Sequence, residues 1–163
     1  MSENNQVTLV SKEGEKIVTN EKAVERSKLI KNLLQDYPEE AEIPLTEVKT
    51  STLKKIKEYL EYYQDKEPSV IPKPLYSNDF KGNGISEWDL SFIDVATDQL
   101  FDLLTAANYM DIQSLLDLAS AKVASIIKGL TPEYINNKFS LPILSKEEEE
   151  QIFKDTHWCM ENN

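Results

Sequence analysis

The chain of 163 residues has little cysteine, little histidine and a deficit of positive charge. A single cysteine cannot form an intramolecular disulfide, which favours a reducing compartment, so we expect the protein in the cytoplasm and the nucleus. The chain has 18 basic and 29 acidic residues, which gives a formal net charge of −11. A surface of this charge repels nucleic-acid phosphates and anionic lipid headgroups. We therefore expect no nucleic acid and no membrane as partners, and the charge favours proteins.

Long apolar runs are lacking as well. No run approaches the roughly 20 residues that a membrane-spanning helix needs, and the polar residues 2–6 are not those of a signal peptide. At this length we expect one domain, or one domain with an extension, around its own core.

A constellation for catalysis is also missing. His157 and Cys159 are two residues apart, but two ligands do not make a zinc site, and neither a base nor an orienting partner accompanies them. The acidic residues 147–150 lack the spaced ligands and the central glycine of a calcium loop. We therefore expect no enzyme, no metal and no cofactor. A small thiol-dependent enzyme that uses Cys159 is the alternative from that class.

The first part of the chain predicts a mixture of strands and helices. Residues 7–11 and 17–19 are rich in β-branched side chains and flank a turn that contains Gly14, which is typical of a hairpin. Apolar residues at partly helical spacing in residues 20–34 predict one helix or two short ones, with Asn20 as the N-cap.

Two further elements and a loop follow. Residues 42–45 predict a short strand, which Pro44 restricts to an edge or an end because proline donates no backbone hydrogen bond. Residues 50–64 place apolar side chains at spacings of three and four, which predicts a one-sided amphipathic helix. Between residues 65 and 84, prolines without sustained periodicity predict a flexible surface loop.

The second part of the chain predicts helices only. The first of them has an apolar stripe, formed by Leu100, Leu103, Leu104 and Ala107. At about 100° per residue, an adjoining side of the same helix presents a second group of side chains. This group consists of Phe101, Thr105, Asn108 and Tyr109. The two sides can therefore serve different neighbours.

Caps delimit the helices that come after. Asp111 is expected to cap the next helix, which Gly129 ends. Thr131 followed by proline predicts the start of a third helix. Ser145 with Glu148 three residues later predicts the capping box of a fourth.

Three segments of this region carry a family resemblance. They are residues 103–112 (LLTAANYMDI), residues 127–133 (IKGLTPE) and the acidic residues 147–150 ahead of HWC at 157–159. The hairpin, IPL at 43–45 and SEWD at 86–89 precede these segments in a fixed order along the chain. Taken together in that order, the segments resemble the S-phase kinase-associated protein family. Those proteins are the F-box adaptors of SCF ubiquitin ligases, and the resemblance covers essentially the whole chain.

The resemblance implies an α+β fold with two parts. A BTB/POZ-type domain, a small three-stranded sheet with helices, would span residues 6–110 with a flexible loop at about 65–84. A helical F-box-binding extension would span residues 111–163. The implied function is that of an adaptor subunit in an SCF-type (cullin-RING) E3 ubiquitin ligase, which bridges F-box proteins to a cullin. A RING subunit and a ubiquitin-conjugating enzyme would be indirect partners.

Two alternatives stay within interaction proteins. An elongin-C-like or stand-alone BTB-type scaffold is the first, and the helices after Asp111 disfavour it because elongin-C-like chains end near that segment. The second is a homodimer formed through the F-box-facing helices when no F-box protein is present.

The resemblance also implies roles for individual residues. Asn108 and Tyr109 match a cullin-contacting pair, and Phe101 and Thr105 share their helix side, although Phe101 is equally well explained by packing within the domain. Six apolar residues are predicted to face the F-box: Leu100, Leu104, Leu116, Val123, Ile127 and Trp158.

Each of these predictions has a structural alternative. For the five aliphatic residues the alternative is plain core packing, since helical stripes are usually core. Trp158 is different because a tryptophan near a chain end suits an interface anchor. Pro132 resembles a proline that is hydroxylated and then glycosylated in some protist members, and its alternative role is simply to start a helix.

Overall fold

The computed structural model describes residues 6–37, 42–77, 80–142 and 144–157. They belong to two compact units, one of residues 1–126 and one of residues 127–163. The elements in chain order are β1 (Gln6–Val10), β2 (Lys16–Asn20), α1 (Glu21–Val24), α2 (Lys28–Asp36), β3 (Glu42–Pro44), α3 (Thr50–Tyr62), a 3₁₀ turn (Phe80–Asn83), α4 (Glu87–Phe92), α5 (Thr97–Tyr109), α6 (Gln113–Ile127), α7 (Pro132–Phe139) and α8 (Lys146–Thr156). The α+β class is confirmed, and the predicted domain boundary near residue 110 stays a prediction.

The sheet of the first unit contains all three predicted strands. In the described residues it has three strands in the order β2-β1-β3, with β1 antiparallel to β2 and parallel to β3. The hairpin turn places Gly14 at φ +83°, a conformation that glycine adopts without a steric penalty. Pro44 ends β3 at the sheet edge, as its missing N–H requires.

Two short helices, α1 and α2, follow the hairpin. Of the two alternatives predicted for residues 20–34, the structure therefore has two helices and not one. Asn20 is the N-cap residue of α1 but makes no side-chain cap hydrogen bond among the described residues. Ser27 caps α2 instead, because its Oγ accepts a hydrogen bond from the backbone N of Ile30 at 3.2 Å.

The core of the first unit lies between the sheet, α3 and α5. The apolar side chains that the spacing of α3 predicts for one face, including Leu53, Ile56 and Leu60, are completely buried. An aromatic cluster extends this core toward α4, where Trp88 stacks on Tyr62 with ring centroids 3.7 Å apart. α6 contributes its own buried face to the same core through residues such as Leu115.

The segment predicted as a surface loop contains buried residues. Its described part forms one 3₁₀ turn and otherwise no helix or strand. Phe80 and Asn83 are 8 % and 5 % exposed, and the Asn83 side chain accepts from the N of Ser77 at 3.0 Å. The surface prediction is therefore wrong at these two positions, while flexibility of the segment stays a prediction.

The link between α5 and α6 departs from the predicted cap. Asp111 has φ +50°, and the N of Ile112 donates to the O of Ala107 at 2.9 Å, which closes the end of α5. α6 begins only at Gln113. Because an N-cap residue is normally extended, the prediction that Asp111 caps α6 is wrong.

The second unit follows its predicted caps. Gly129 has φ +80° just beyond α6, and Thr131 Oγ1 accepts from the N of Tyr134 at 3.3 Å to start α7. Ser145 and Glu148 form the reciprocal capping box of α8. These predictions are confirmed. Trp158 and Cys159 lie outside the described residues.

Candidate protein-interaction surfaces

Two sides of α5 differ in exposure as the sequence predicts. Its stripe toward the core includes Leu103 and Ala107, with 1 % and 0 % exposed. The adjoining side is exposed along its whole length, and it consists of Phe101, Thr105, Asn108 and Tyr109. The structure therefore brings all four predicted cullin-contacting residues to one helix face. Their role as cullin contacts stays a prediction.

Tyr109 also lines an apolar groove of about 280 Å³, here called the α2–α5 groove. Three elements form it, and its lining residues are Leu29, Leu33, Leu34, Tyr37, Ile43, Pro44 and Tyr109. Their side chains are almost entirely apolar. A surface of this kind is suited to a partner's apolar side chains.

The part of the α2–α5 groove that α2 provides was not named from the sequence. The sequence signal for it is the width of the apolar side of α2, where Leu29 and Leu33 adjoin Ile30. In the structure Ile30 is completely buried, whereas Leu29 and Leu33 are only partly buried. A helix with a wide apolar side has more apolar surface than one core contact uses. That β3 and α5 meet α2 at this place follows from the tertiary structure.

An ion pair lies next to Phe101 on α5. Asp102 accepts from Lys49 Nζ at 2.7 Å, and this hydrogen bond and the carboxylate charge raise the pKa of Lys49. Both side chains are partly exposed, so the pair contributes little to stability.

The residues predicted to face the F-box differ in exposure. Leu100 is 1 % exposed and belongs to the core of the first unit, which supports the core alternative for this residue. Leu104, Leu116 and Val123 are partly buried and pack against that core with part of their surface left accessible. Ile127 at the end of α6 is exposed.

The second unit has apolar side chains that are not buried. Neither α7 nor α8 contains a buried residue. Among the described residues of this unit, six large apolar side chains are exposed: Ile127, Tyr134, Leu141, Leu144, Ile152 and Phe153. Most helical stability in proteins comes from packing an apolar face, and these helices of 8 and 11 residues bury no such face.

Ile152 and Phe153 lie in the last helix, which the sequence predicts from its capping box, and they are not among the six residues predicted to face the F-box. The sequence signal is their position in a strongly charged helix, where Glu147, Glu148 and Glu149 occupy the first turn. Hydrogen bonds from Ser145 hold the pKa of the Glu148 carboxyl below its usual value, which favours the ionised form of this side chain at the start of α8.

The described ranges contain no group of three or more histidine, cysteine, aspartate or glutamate side chains placed to hold a metal ion. In the same ranges no helix is long and apolar enough to cross a membrane. Pro132 is exposed at the first position of α7.

Comparisons with known proteins agree with this architecture. A model described as "Skp1 family, tetramerisation domain" matches residues 5–65, and one described as "Skp1 family, dimerisation domain" matches residues 113–159. The S-phase kinase-associated protein 1 homolog of Tetrahymena thermophila is 42 % identical over 95 % of this chain and 94 % of its own length.

Two fungal relatives show the same extent of similarity. The E3 ubiquitin ligase complex SCF subunit sconC of Arthroderma benhamiae is 38 % identical over 96 % of both chains. The suppressor of kinetochore protein 1 of Schizosaccharomyces pombe is 37 % identical over 94 % of this chain and 96 % of its own. With matching family models in both halves and relatives aligned over nearly its full length, the chain belongs to the Skp1 family.

Proposed function

We propose that this protein is the adaptor subunit of an SCF-type cullin-RING E3 ubiquitin ligase, which bridges F-box substrate receptors to the cullin. The observation that carries the proposal is that each compact unit leaves apolar side chains exposed: the α2–α5 groove in the first, and the face of α8 in the second. A bridging protein needs two such surfaces. The family membership and the name of the Arthroderma relative, an SCF subunit, support this function.

The cullin is proposed to bind the first unit. Asn108 and Tyr109 provide the polar and aromatic contacts there, and Thr105 and Phe101 extend the contact along α5. The α2–α5 groove next to Tyr109 would receive apolar side chains of the cullin. An aromatic residue beside an apolar groove is typical of the residues that contribute most to binding energy.

The F-box protein is proposed to bind through α6, α7 and α8. Leu116, Val123 and Ile127 on α6 keep part of their surface accessible, and Ile152 and Phe153 on α8 are exposed. Leu104 and Trp158 are further predicted contacts. Burial of these side chains by the F-box supplies the apolar contacts that α7 and α8 do not find in their own unit.

The mechanism of such an adaptor is positional. It holds the substrate receptor and the ligase arm in one assembly and so raises the effective concentration of the substrate lysine near the charged ubiquitin-conjugating enzyme. The RING subunit and this enzyme are indirect partners. The adaptor itself is proposed to have no catalytic activity, which is supported by the name of the Arthroderma relative, an SCF subunit.

Three further properties belong to this proposal. Without an F-box protein, the exposed apolar side chains of the second unit would favour a homodimer. Pro132, exposed at the start of α7, is accessible to a modifying enzyme. The protein is proposed to act in the cytoplasm and the nucleus.

Reconstitution tests the function directly. The purified chain is mixed with a recombinant F-box domain and with an N-terminal cullin fragment, singly and together, and the complexes are measured by size-exclusion chromatography with light scattering. We expect two binary complexes and one ternary complex with one copy of each protein. Absence of the F-box complex contradicts the receptor half of the proposal, and absence of the cullin complex contradicts the scaffold half.

A further inference from the structure

We propose that Ser27 is a positioning residue for the cullin surface: its hydroxyl joins the start of α2 to the end of α5 and thereby sets the α2–α5 groove. The inference rests on the proposed cullin binding of this groove. Ser27 does not line the groove itself, so it acts through the two helices that do.

The Ser27 side chain makes two hydrogen bonds in opposite directions. Its Oγ donates to the backbone O of Met110 at 2.5 Å and accepts from the backbone N of Ile30 at 3.2 Å. A hydroxyl has one hydrogen and two acceptor lone pairs, so it makes both bonds at once. Ser27 is 0 % exposed, and water does not replace either bond.

The two bonded backbone groups are both at helix ends. The N of Ile30 is one of the free donors in the first turn of α2, and the O of Met110 follows the last residue of α5. The Ser27 side chain thus bonds a backbone donor at the start of α2 and a backbone acceptor at the end of α5. Ser27 and Met110 are 83 residues apart in the chain.

A neighbouring contact strengthens this junction. The N of Lys28 donates to the O of Asp111 at 3.3 Å, and Lys28 Nζ lies 3.5 Å from the Asp111 carboxylate. Asp111 has a left-handed conformation, with φ +50°, which turns its carbonyl toward α2. The extended conformation of an N-cap residue would not turn the carbonyl in this direction. The departure of Asp111 from the predicted cap is therefore part of this connection.

The position of the junction explains its effect on the groove. Tyr109 is the residue before Met110, and Leu29 and Leu33 are two and six residues after Ser27. At a rise of about 1.5 Å per residue, Leu33 is only about 9 Å along α2 from the junction. A change in the distance between α2 and α5 at Ser27 moves both walls of the α2–α5 groove.

The test compares two serine-to-alanine substitutions of the same kind. Ser27→Ala removes the junction, and Ser86→Ala removes another side-chain cap, whose Oγ accepts from the N of Asp89 at 3.1 Å away from the groove. Ser27→Thr keeps the hydroxyl. Affinities for the cullin fragment and for a recombinant F-box domain are measured on the same full-length preparations by isothermal titration calorimetry.

We expect Ser27→Ala to weaken cullin binding about tenfold, which is within the range expected when two buried hydrogen bonds are lost, and to leave F-box affinity within about twofold of wild type. Ser86→Ala should leave both affinities within about twofold, and Ser27→Thr should recover most of the cullin affinity. Unchanged cullin binding in Ser27→Ala, or an equal loss in Ser27→Ala and Ser86→Ala, overturns the proposal.

A second measurement separates this inference from the proposed function. Hydrogen exchange is followed at the amides of Asp111 and Ile112, which donate to α5 carbonyls, with the amides of α3 as the internal reference. Ser27→Ala should accelerate exchange at these two amides about tenfold relative to α3, and unchanged exchange overturns the positioning role. In one further outcome, the wild-type protein does not bind the cullin fragment while Ser27→Ala still accelerates hydrogen exchange as expected. That result contradicts the proposed cullin binding but supports the connection of α2 to α5 through Ser27.

Discussion

Glu13, in the turn between β1 and β2, caps the start of α3 by accepting from both the backbone N and the Oγ1 of Thr50, each at 2.7 Å. The residue at the N-cap position itself, Lys49, makes no side-chain cap hydrogen bond among the described residues. A carboxylate near a helix N-terminus also meets the positive end of the helix dipole. The Glu13 side chain therefore links the hairpin to α3.

The first prediction concerns Glu13 and pH. The hydrogen bonds from Thr50 hold the pKa of the Glu13 carboxyl below its usual value. Its stabilising effect is therefore present above the unfolded pKa and is lost as the pH falls through the folded pKa. Glu13→Gln should lower the melting temperature by a few degrees at pH 7 and make no difference at a pH below the folded pKa. Calorimetry at several pH values checks this.

Glu58→Gln is the matched control, because Glu58 is an exposed carboxylate on α3 itself. Its melting temperature should stay within error of wild type at every pH. A Glu13→Gln effect that persists unchanged at the lowest pH would show that ionisation of Glu13 is not its cause.

The second prediction separates core from interface among the residues expected to face the F-box. Leu100→Ala should lower the free energy of unfolding by about 2–5 kcal/mol, because Leu100 is 1 % exposed and its truncation leaves a cavity. Ile127→Ala, at an exposed position, should change stability by about 0.5 kcal/mol or less and weaken F-box binding. Urea unfolding and titration with an F-box domain measure the two effects. Equal stability loss in both variants would contradict this division.

The third prediction tests the cullin contacts. Asn108→Ala combined with Tyr109→Ala should weaken binding of the cullin fragment at least about tenfold and leave F-box binding intact. Asp98→Ala, in the first turn of the same helix, serves as the control and should bind both partners as wild type does. Parallel loss of both partners in the double variant would indicate misfolding instead.

The fourth prediction tests the exposed residues of α8. Ile152→Asp with Phe153→Asp should abolish F-box binding, because two charges would have to be buried in an apolar contact. Gln151→Glu adds charge to the neighbouring position and should bind normally. Cullin-fragment binding serves as the folding control, measured by biolayer interferometry. Retained F-box affinity in the double variant would exclude α8 from the interface.

The elements that the sequence predicts well have local causes. α6 and α8 are specified by apolar spacing and by caps such as Ser145 with Glu148, all within a few residues of one another. The hairpin follows from β-branched runs around Gly14. The residues of the exposed α5 side follow from helical geometry, since 100° per residue separates Asn108 from the stripe toward the core.

The errors occur where distant residues decide. Aspartate is a residue type that often caps helices, so the local sequence predicts Asp111 as a cap. Its backbone hydrogen bonds with α5 and with Lys28 hold it in a left-handed conformation instead. Phe80 and Asn83 belong to a proline-containing loop by local pattern, yet the core of the first unit covers them. For Leu100 the helical periodicity predicts a place on an apolar stripe. It does not show whether that side chain is buried by other residues of this chain or by a partner protein.

By itself the sequence determined the strands, most helix limits and the family resemblance, because periodicity, capping and turn chemistry act between residues that are close in the chain. Only the tertiary structure decided which stripe residues are core, and that α2, β3 and α5 form one groove beside Tyr109. Burial and grooves depend on contacts such as that of Ser27 with Met110, 83 residues apart. No local pattern encodes such a pairing, since the chain entropy lost in forming it is recovered only when the whole core packs.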